Sequence, residues 1–135
     1  MACELCENLG GEPLWQDDFC RVVLVEDAHY PGFCRVILRH HTKEMTDLSK
    51  SERSRLMAVV FAVEAAVREV LQPDKINLAS LGNVMPHLHW HVIPRFVDDR
   101  HFPNPIWGKV RQEGRDHPFD RQRLIQTIQT ALPPL

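Results

Sequence analysis

Residues 87–93, His-Leu-His-Trp-His-Val-Ile, alternate histidine with bulky apolar side chains. A period of two belongs to extended backbone, so the run predicts a strand with Leu88, Trp90 and Val92 on one face and three imidazoles on the other. An apolar strand face needs a partner layer. The stretch from Ser49 to Leu71 supplies one: Leu56, Val59, Val60, Val63, Val67, Val70 and Leu71 recur every three or four positions, the period of an amphipathic helix. Ser49 followed three residues later by Glu52 forms a capping-box pattern, and Pro73 closes the helix.

The remaining elements are shorter. Arg21–Asp27 and Gly32–Leu38 are β-branched runs separated by a turn at Pro31-Gly32, and Lys75–Leu81 leads through Gly-Asn-Val-Met-Pro into the histidine run at 87–95. A second helix is expected from about Pro118 to Leu132, with Leu124, Ile125, Ile128 and Leu132 on one face. Residues 98–117 between them are rich in proline, glycine and charge, which predicts a long surface loop. The pattern is that of an α+β fold with an antiparallel sheet. At 135 residues, one domain over 1–135 is expected. A formal charge of −2 gives no general attraction to nucleic acid polymers or anionic membranes. No run approaches 18 apolar residues, and Met1–Gly10 lacks a basic-then-apolar leader, so the expected location is cytoplasmic. In that setting the four cysteines read as thiols or metal ligands rather than disulfides.

Three roles compete for the histidines. They can decorate a solvated sheet face, although Thr, Lys, Glu and Ser usually do that. Two of them can bind a catalytic metal as His-x-His. All three cannot readily meet on one ion, because His87 and His91 start about 13 Å apart along a strand, whereas a zinc–nitrogen bond is about 2.0–2.1 Å. In the third role the row forms a track for an elongated anion, with one imidazole attacking phosphorus while another stabilises charge or protonates the leaving group.

The motif His87-Leu88-His89-Trp90-His91-Val92-Ile93 resembles the signature of the histidine triad (HIT) superfamily of nucleotide hydrolases and transferases. The Pro31–Leu38 strand and the His40–Ser49 turn before the long helix extend the resemblance over roughly residues 1 to 95. It implies a five-stranded antiparallel sheet with one long and one shorter helix, and a homodimer. It also implies a two-step mechanism: His89 attacks the α-phosphate, His91 contacts phosphate oxygens and assists the leaving group, and His87 holds the nucleophile's surroundings. The substrates implied are nucleoside phosphoramidates, dinucleoside polyphosphates or aminoacyl nucleotides. Two positions depart from the family pattern: Asn83 stands where many members have glutamine, and Phe33 where many have histidine. A regulator that binds nucleotide but turns it over slowly is therefore a competing expectation.

Cys3 and Cys6 form a C-x2-C pair, which alone needs further ligands to make a metal site. Some family members and the related galactose-1-phosphate uridylyltransferases bind structural zinc, and that resemblance implies Cys3, Cys6, His41 and His87 as ligands here, with His40 as the alternative to His41. Cys20 and Cys34 read as small core residues. Asn83, Asn77 and Glu26 are candidate substrate contacts, the last beside Asp27 at a strand end where the resemblance implies an acidic partner for ribose hydroxyls. Arg95 is a candidate phosphate contact or an exposed cation, and Trp107 a candidate cover for a base or a packing residue at a dimer interface.

Overall fold

A computed structural model describes residues 3–133. Its strands are β1 (Glu12–Gln16), β2 (Cys20–Leu24), β3 (Cys34–Leu38), β4 (Lys75–Ala79) and β5 (His89–Arg95), and its helices α1 (Glu4–Glu7), α2 (Lys50–Leu71) and α3 (Arg121–Ala131). The five strands form one antiparallel sheet in the order β1-β2-β3-β5-β4. This is the expected α+β architecture. No described helix is long and apolar enough to cross a membrane.

Helix α2 begins where its capping residues place it. The Ser49 hydroxyl accepts from the Glu52 amide while the Glu52 carboxylate accepts from the Ser49 amide. Its end is a left-handed turn at Gln72 (φ 48°), whose amide donates to the Arg68 carbonyl before Pro73 prevents continuation. Leu56, Val59, Val60, Val63 and Val67 are buried against Val22, Leu24, Cys34, Val36, Leu38 and Val92 of the sheet. Cys20 and Cys34 lie in this core. Helix α3, capped by Asp120, adds Leu124 and Ile128 to it and ties to β1 through Gln129, whose amide donates to the Leu14 carbonyl at 3.0 Å.

Strand β1 is the element that the residue pattern did not single out. Pro13 and a register shift between Pro13 and Trp15 interrupt its ladder with β2, which an edge strand tolerates. The strands predicted at 21–27 and 32–38 are shorter than expected, ending at Leu24 and starting at Cys34. The opposite face of the sheet carries two smaller apolar clusters. Leu5 packs on Val23 and Ile37 under the N-terminal segment, and Tyr30, Phe33 and Ile93 pack with Ile106 under the loop after β5. Arg35 stands between Ile37 of one cluster and Phe33 of the other on the same face of β3, so the gap between them falls at the centre of the sheet.

The loop after β5 lies on the surface as expected, but its root is anchored by buried charge. Arg95 and Asp99 are 2% and 3% exposed. The Arg95 guanidinium donates to both Asp99 carboxylate oxygens (2.7 and 3.1 Å), to Asn77 Oδ1 (2.8 Å) and to the Asn104 carbonyl (2.7 Å). Asp99 also accepts from the amides of Phe96, His101 and Phe102 and from the Tyr30 hydroxyl. Arg95 is thus a fully partnered structural cation, which corrects both expectations for it.

Candidate active site

His89 and His91 sit two residues apart on β5, so both rings project from the face opposite α2. Register fixes their neighbours: His89 lies across from Ile37, and His91 across from Arg35 on one side and Ala79 on the other. The two rings are 4.9 Å apart between centroids and nearly perpendicular, at 79°. Both residues are largely buried.

His89 has a defined tautomer. Its Nδ1 lies 2.6 Å from the His87 carbonyl oxygen, which can only accept, so Nδ1 carries the proton and Nε2 keeps its lone pair. Burial holds its pKa below the ordinary histidine value, and the nearby Arg35 charge adds to this against the opposing pull of the His87 carbonyl. His91 is pushed down further, to about 3, by burial, by His89 and by Arg35. Its Nδ1 is buried without a partner. Both rings are therefore uncharged near neutral pH, one with a free nucleophilic nitrogen and the other with an unused polar atom.

His87 does not continue the row. It precedes β5 in a bend where the Leu88 amide donates to the Thr42 carbonyl (2.7 Å) and the Leu38 amide to the Leu88 carbonyl. The imidazole is fully buried, and its Nε2–H donates to the Leu38 carbonyl at 2.7 Å. Nδ1 is left facing sulfur, 3.4 Å from both Cys3 Sγ and Cys6 Sγ, while Cys6 Sγ lies 3.5 Å from His41 Nδ1. These four ligand atoms lie within 4.8 Å of one another. Zinc–sulfur and zinc–nitrogen bonds of about 2.3 and 2.0–2.1 Å put tetrahedral S···N neighbours about 3.5 Å apart, so the group fits a Cys2His2 centre with its His87 tautomer already selected. His40 is outside this group.

Two pockets flank His89. One is lined by Leu81, Gly82, Asn83, Val84, Met85, His91 and Trp107 together with Arg35 and His89, and measures about 360 Å³. The other has Glu4, Leu5, Asn8, Gly10 and Met85 around the same Arg35 and His89, again about 360 Å³. Of the candidate substrate contacts, Asn83 lines the first pocket. Asn77 is engaged by Arg95. Glu26 is exposed beyond the end of β2, outside both linings. Trp107 reaches back from the loop to within 4.9 Å of the His91 ring centroid. Phe33 stacks obliquely on His91 at 5.6 Å. Residue-by-residue reading passed over Arg35, whose only signal was one charge inside the apolar run Cys34-Arg35-Val36-Ile37-Leu38.

Comparison with known proteins places this geometry. An AP-4-A phosphorylase of Mycobacterium tuberculosis is 30% identical over 84 residues, which are 58% of this chain and 43% of that protein. The chain thus spans less than half the length of that curated relative. The crystal structure of a histidine triad protein from Bradyrhizobium japonicum is 28% identical, with a TM-score of 0.76 over 97% of this chain and 96% of its own. A zinc-bound histidine triad family protein from Mycobacterium smegmatis shares the fold at 24% identity, with a TM-score of 0.62 over 97% and 93% of the two chains. Residues 11–98, which hold the whole sheet and the His87–His91 motif, match the HIT domain, and the chain belongs to that family.

Proposed function

We propose that this protein is a nucleotidyl hydrolase acting on a nucleoside phosphoramidate or dinucleoside polyphosphate through a covalent nucleotidyl-histidine intermediate. The observation that carries this reading is the 2.6 Å hydrogen bond from His89 Nδ1–H to the His87 carbonyl, which leaves Nε2 as a free base at the meeting of two pockets. In the first step Nε2 forms a bond to the α-phosphorus, and the bond to the leaving group breaks with its electron pair going to that group. The imidazole becomes positively charged, and the His87 carbonyl against Nδ1–H stabilises it. His91, through a neutral N–H, donates to a phosphate oxygen and eases departure. Water then attacks phosphorus, the P–N bond breaks, and His89 is regenerated as nucleoside monophosphate leaves.

Asn83 in this reading donates to phosphate, while Asn77 is taken by Arg95 and Glu26 lies outside both linings. The relative named AP-4-A phosphorylase supports a dinucleoside polyphosphate substrate, although it is more than twice as long as the matched segment. A homodimer and a cytoplasmic location complete the proposal; β4, an edge strand with an open ladder, is a natural place for a second copy to pair. Catalytic zinc on His-x-His is not favoured, because the metal-capable group takes His87 alone of the three histidines.

Zinc in Cys3, Cys6, His41 and His87 would be structural, closing four ligands and contributing folding energy rather than a reactive site. This chain's own residues then transmit the effect: the His87 ring is fixed by the group, and the His87 carbonyl orients His89. Cys6→Ser is expected to reduce bound zinc from about one per chain to near zero and to lower the thermal midpoint. Elemental analysis and thermal unfolding with and without chelator measure both. Full zinc retention in the variant would overturn the ligand assignment.

The test of the function itself is intact-protein mass spectrometry during turnover of adenosine phosphoramidate and of a diadenosine polyphosphate. A transient adenylate mass, with nucleoside monophosphate as product, is the expected result. No adduct and no product with either compound would reject the hydrolase and favour the nucleotide-binding regulator.

A further inference from the structure

Arg35 is a cation with no ion-paired carboxylate, the acidic charge acting on it from a distance being that of Glu4. It forms no ion pair among the described residues, its Nη1 donates only to the Gly10 carbonyl at 3.2 Å, and its Nε is buried with no hydrogen-bond partner. A buried guanidinium nitrogen left unmatched is costly unless something else completes it. Its position says what. Arg35 stands directly across from His91 in the β3–β5 ladder and lines both pockets that meet at His89.

The two pockets differ in chemistry. The one lined by Leu81, Val84 and Trp107 is largely apolar, which suits a nucleoside base. The other, under the N-terminal segment, has Asn8, the Gly10 backbone and Glu4 beside Arg35, and so presents polar groups around one cation. An in-line displacement at phosphorus puts the leaving group opposite the attacking His89 Nε2 and leaves the nucleoside as an equatorial substituent, so the two halves of the substrate diverge from the reacting atom into different spaces.

We infer that Arg35 binds the departing half of the substrate, and that this half begins with a further phosphoryl group rather than an amine. The inference rests on the reading of His89 and His91 as the phosphate centre and chooses between the substrate classes that reading leaves open. Displacing a phosphoryl group sends the electron pair of the broken P–O bond onto an oxygen that leaves as an anion, so no proton need be supplied. An amine must be protonated to leave, and Arg35, the one cationic side chain lining the polar pocket, offers charge to an anion but no proton. Glu4, which also lines the polar pocket, is exposed at its mouth and does not reach Arg35 as an ion pair.

Equilibrium binding of adenosine 5′-diphosphate and adenosine 5′-monophosphate to wild-type, Arg35→Met and Arg35→Lys proteins tests this without requiring turnover. The β-phosphate of the diphosphate stands in for the leaving group. Wild type is expected to bind the diphosphate roughly tenfold or more tightly than the monophosphate, the scale of one charge-assisted hydrogen bond. Arg35→Met should reduce that ratio to about one to two while changing monophosphate affinity less than about threefold, and Arg35→Lys should keep part of the preference. A wild-type protein that does not distinguish the two ligands would overturn the inference, as would equal losses for both in Arg35→Met. Circular dichroism and the thermal midpoint of each variant establish that it is folded. Failure to form an adenylate adduct would reject the hydrolase reading alone, because the binding ratio does not depend on it.

Discussion

Replacing His89 with alanine is expected to reduce turnover by on the order of 10⁴-fold or more and to remove the covalent adenylate altogether. Losses of this size accompany removal of a nucleophile when binding and charge stabilisation remain. The fold should survive, because the ring makes one hydrogen bond, to the His87 carbonyl, and sits beside a pocket rather than in the main core. His91→Ala removes a donor and not the attacking atom, so its loss should be smaller, about 10²- to 10⁴-fold, with an adduct still detectable. Single-turnover kinetics with mass detection separates the two. Comparable losses and a persistent adduct in His89→Ala would show that another group makes the bond to phosphorus.

The second large effect concerns stability. Arg95→Met leaves the Asp99 carboxylate buried without its cation, and such half-deleted pairs cost about 3–5 kcal/mol. Against a typical domain stability of about 5–15 kcal/mol, this is a substantial fraction. The sign of the pH dependence provides a check. Burial alone would raise the Asp99 pKa, but the Arg95 hydrogen bond and the amides of Phe96, Phe102 and His101 outweigh it and hold the carboxyl below the ordinary aspartate value. A carboxyl depressed in the folded state contributes stability above its unfolded pKa of about 3.9 and loses it as pH falls through the folded value. Without Arg95 the carboxyl protonates more readily, so the difference between wild type and Arg95→Met should shrink from pH 7 to pH 4. Urea unfolding at the two pH values measures it. An unchanged midpoint at pH 7 would contradict the assignment.

Helix α2 was legible almost to the residue, because its period and both ends are written locally in Ser49, Glu52 and Pro73. Strand β1 was not, since Pro13 breaks the pattern that marks a strand and only the family resemblance supplied a fifth one. The alternation at 87–93 identified β5 but overstated it. The bonds of Leu88 to Thr42 and Leu38 turn His87 into a different environment, and those partners lie more than forty residues away in sequence. Arg95 was misread for a related reason: Asp99 falls in a stretch whose composition marks it as surface, and the pair is buried only because Asn77, Tyr30 and Asn104 converge on it. Arg35 lacked any local cue to its phase, which depends on the register of β3 with β5.

The Arg95–Asp99 network also has a consequence in time. Three backbone amides at the root of the loop, those of Phe96, His101 and Phe102, are held by one buried carboxylate, so their exchange with solvent deuterium should await an opening nearly as costly as global unfolding. Trp107, further along and half exposed, is outside that network and can leave His91 through a far cheaper fluctuation. The same loop therefore runs on two clocks, a slow one at its root and a fast one at Trp107, the residue through which it lines the pocket beside His91.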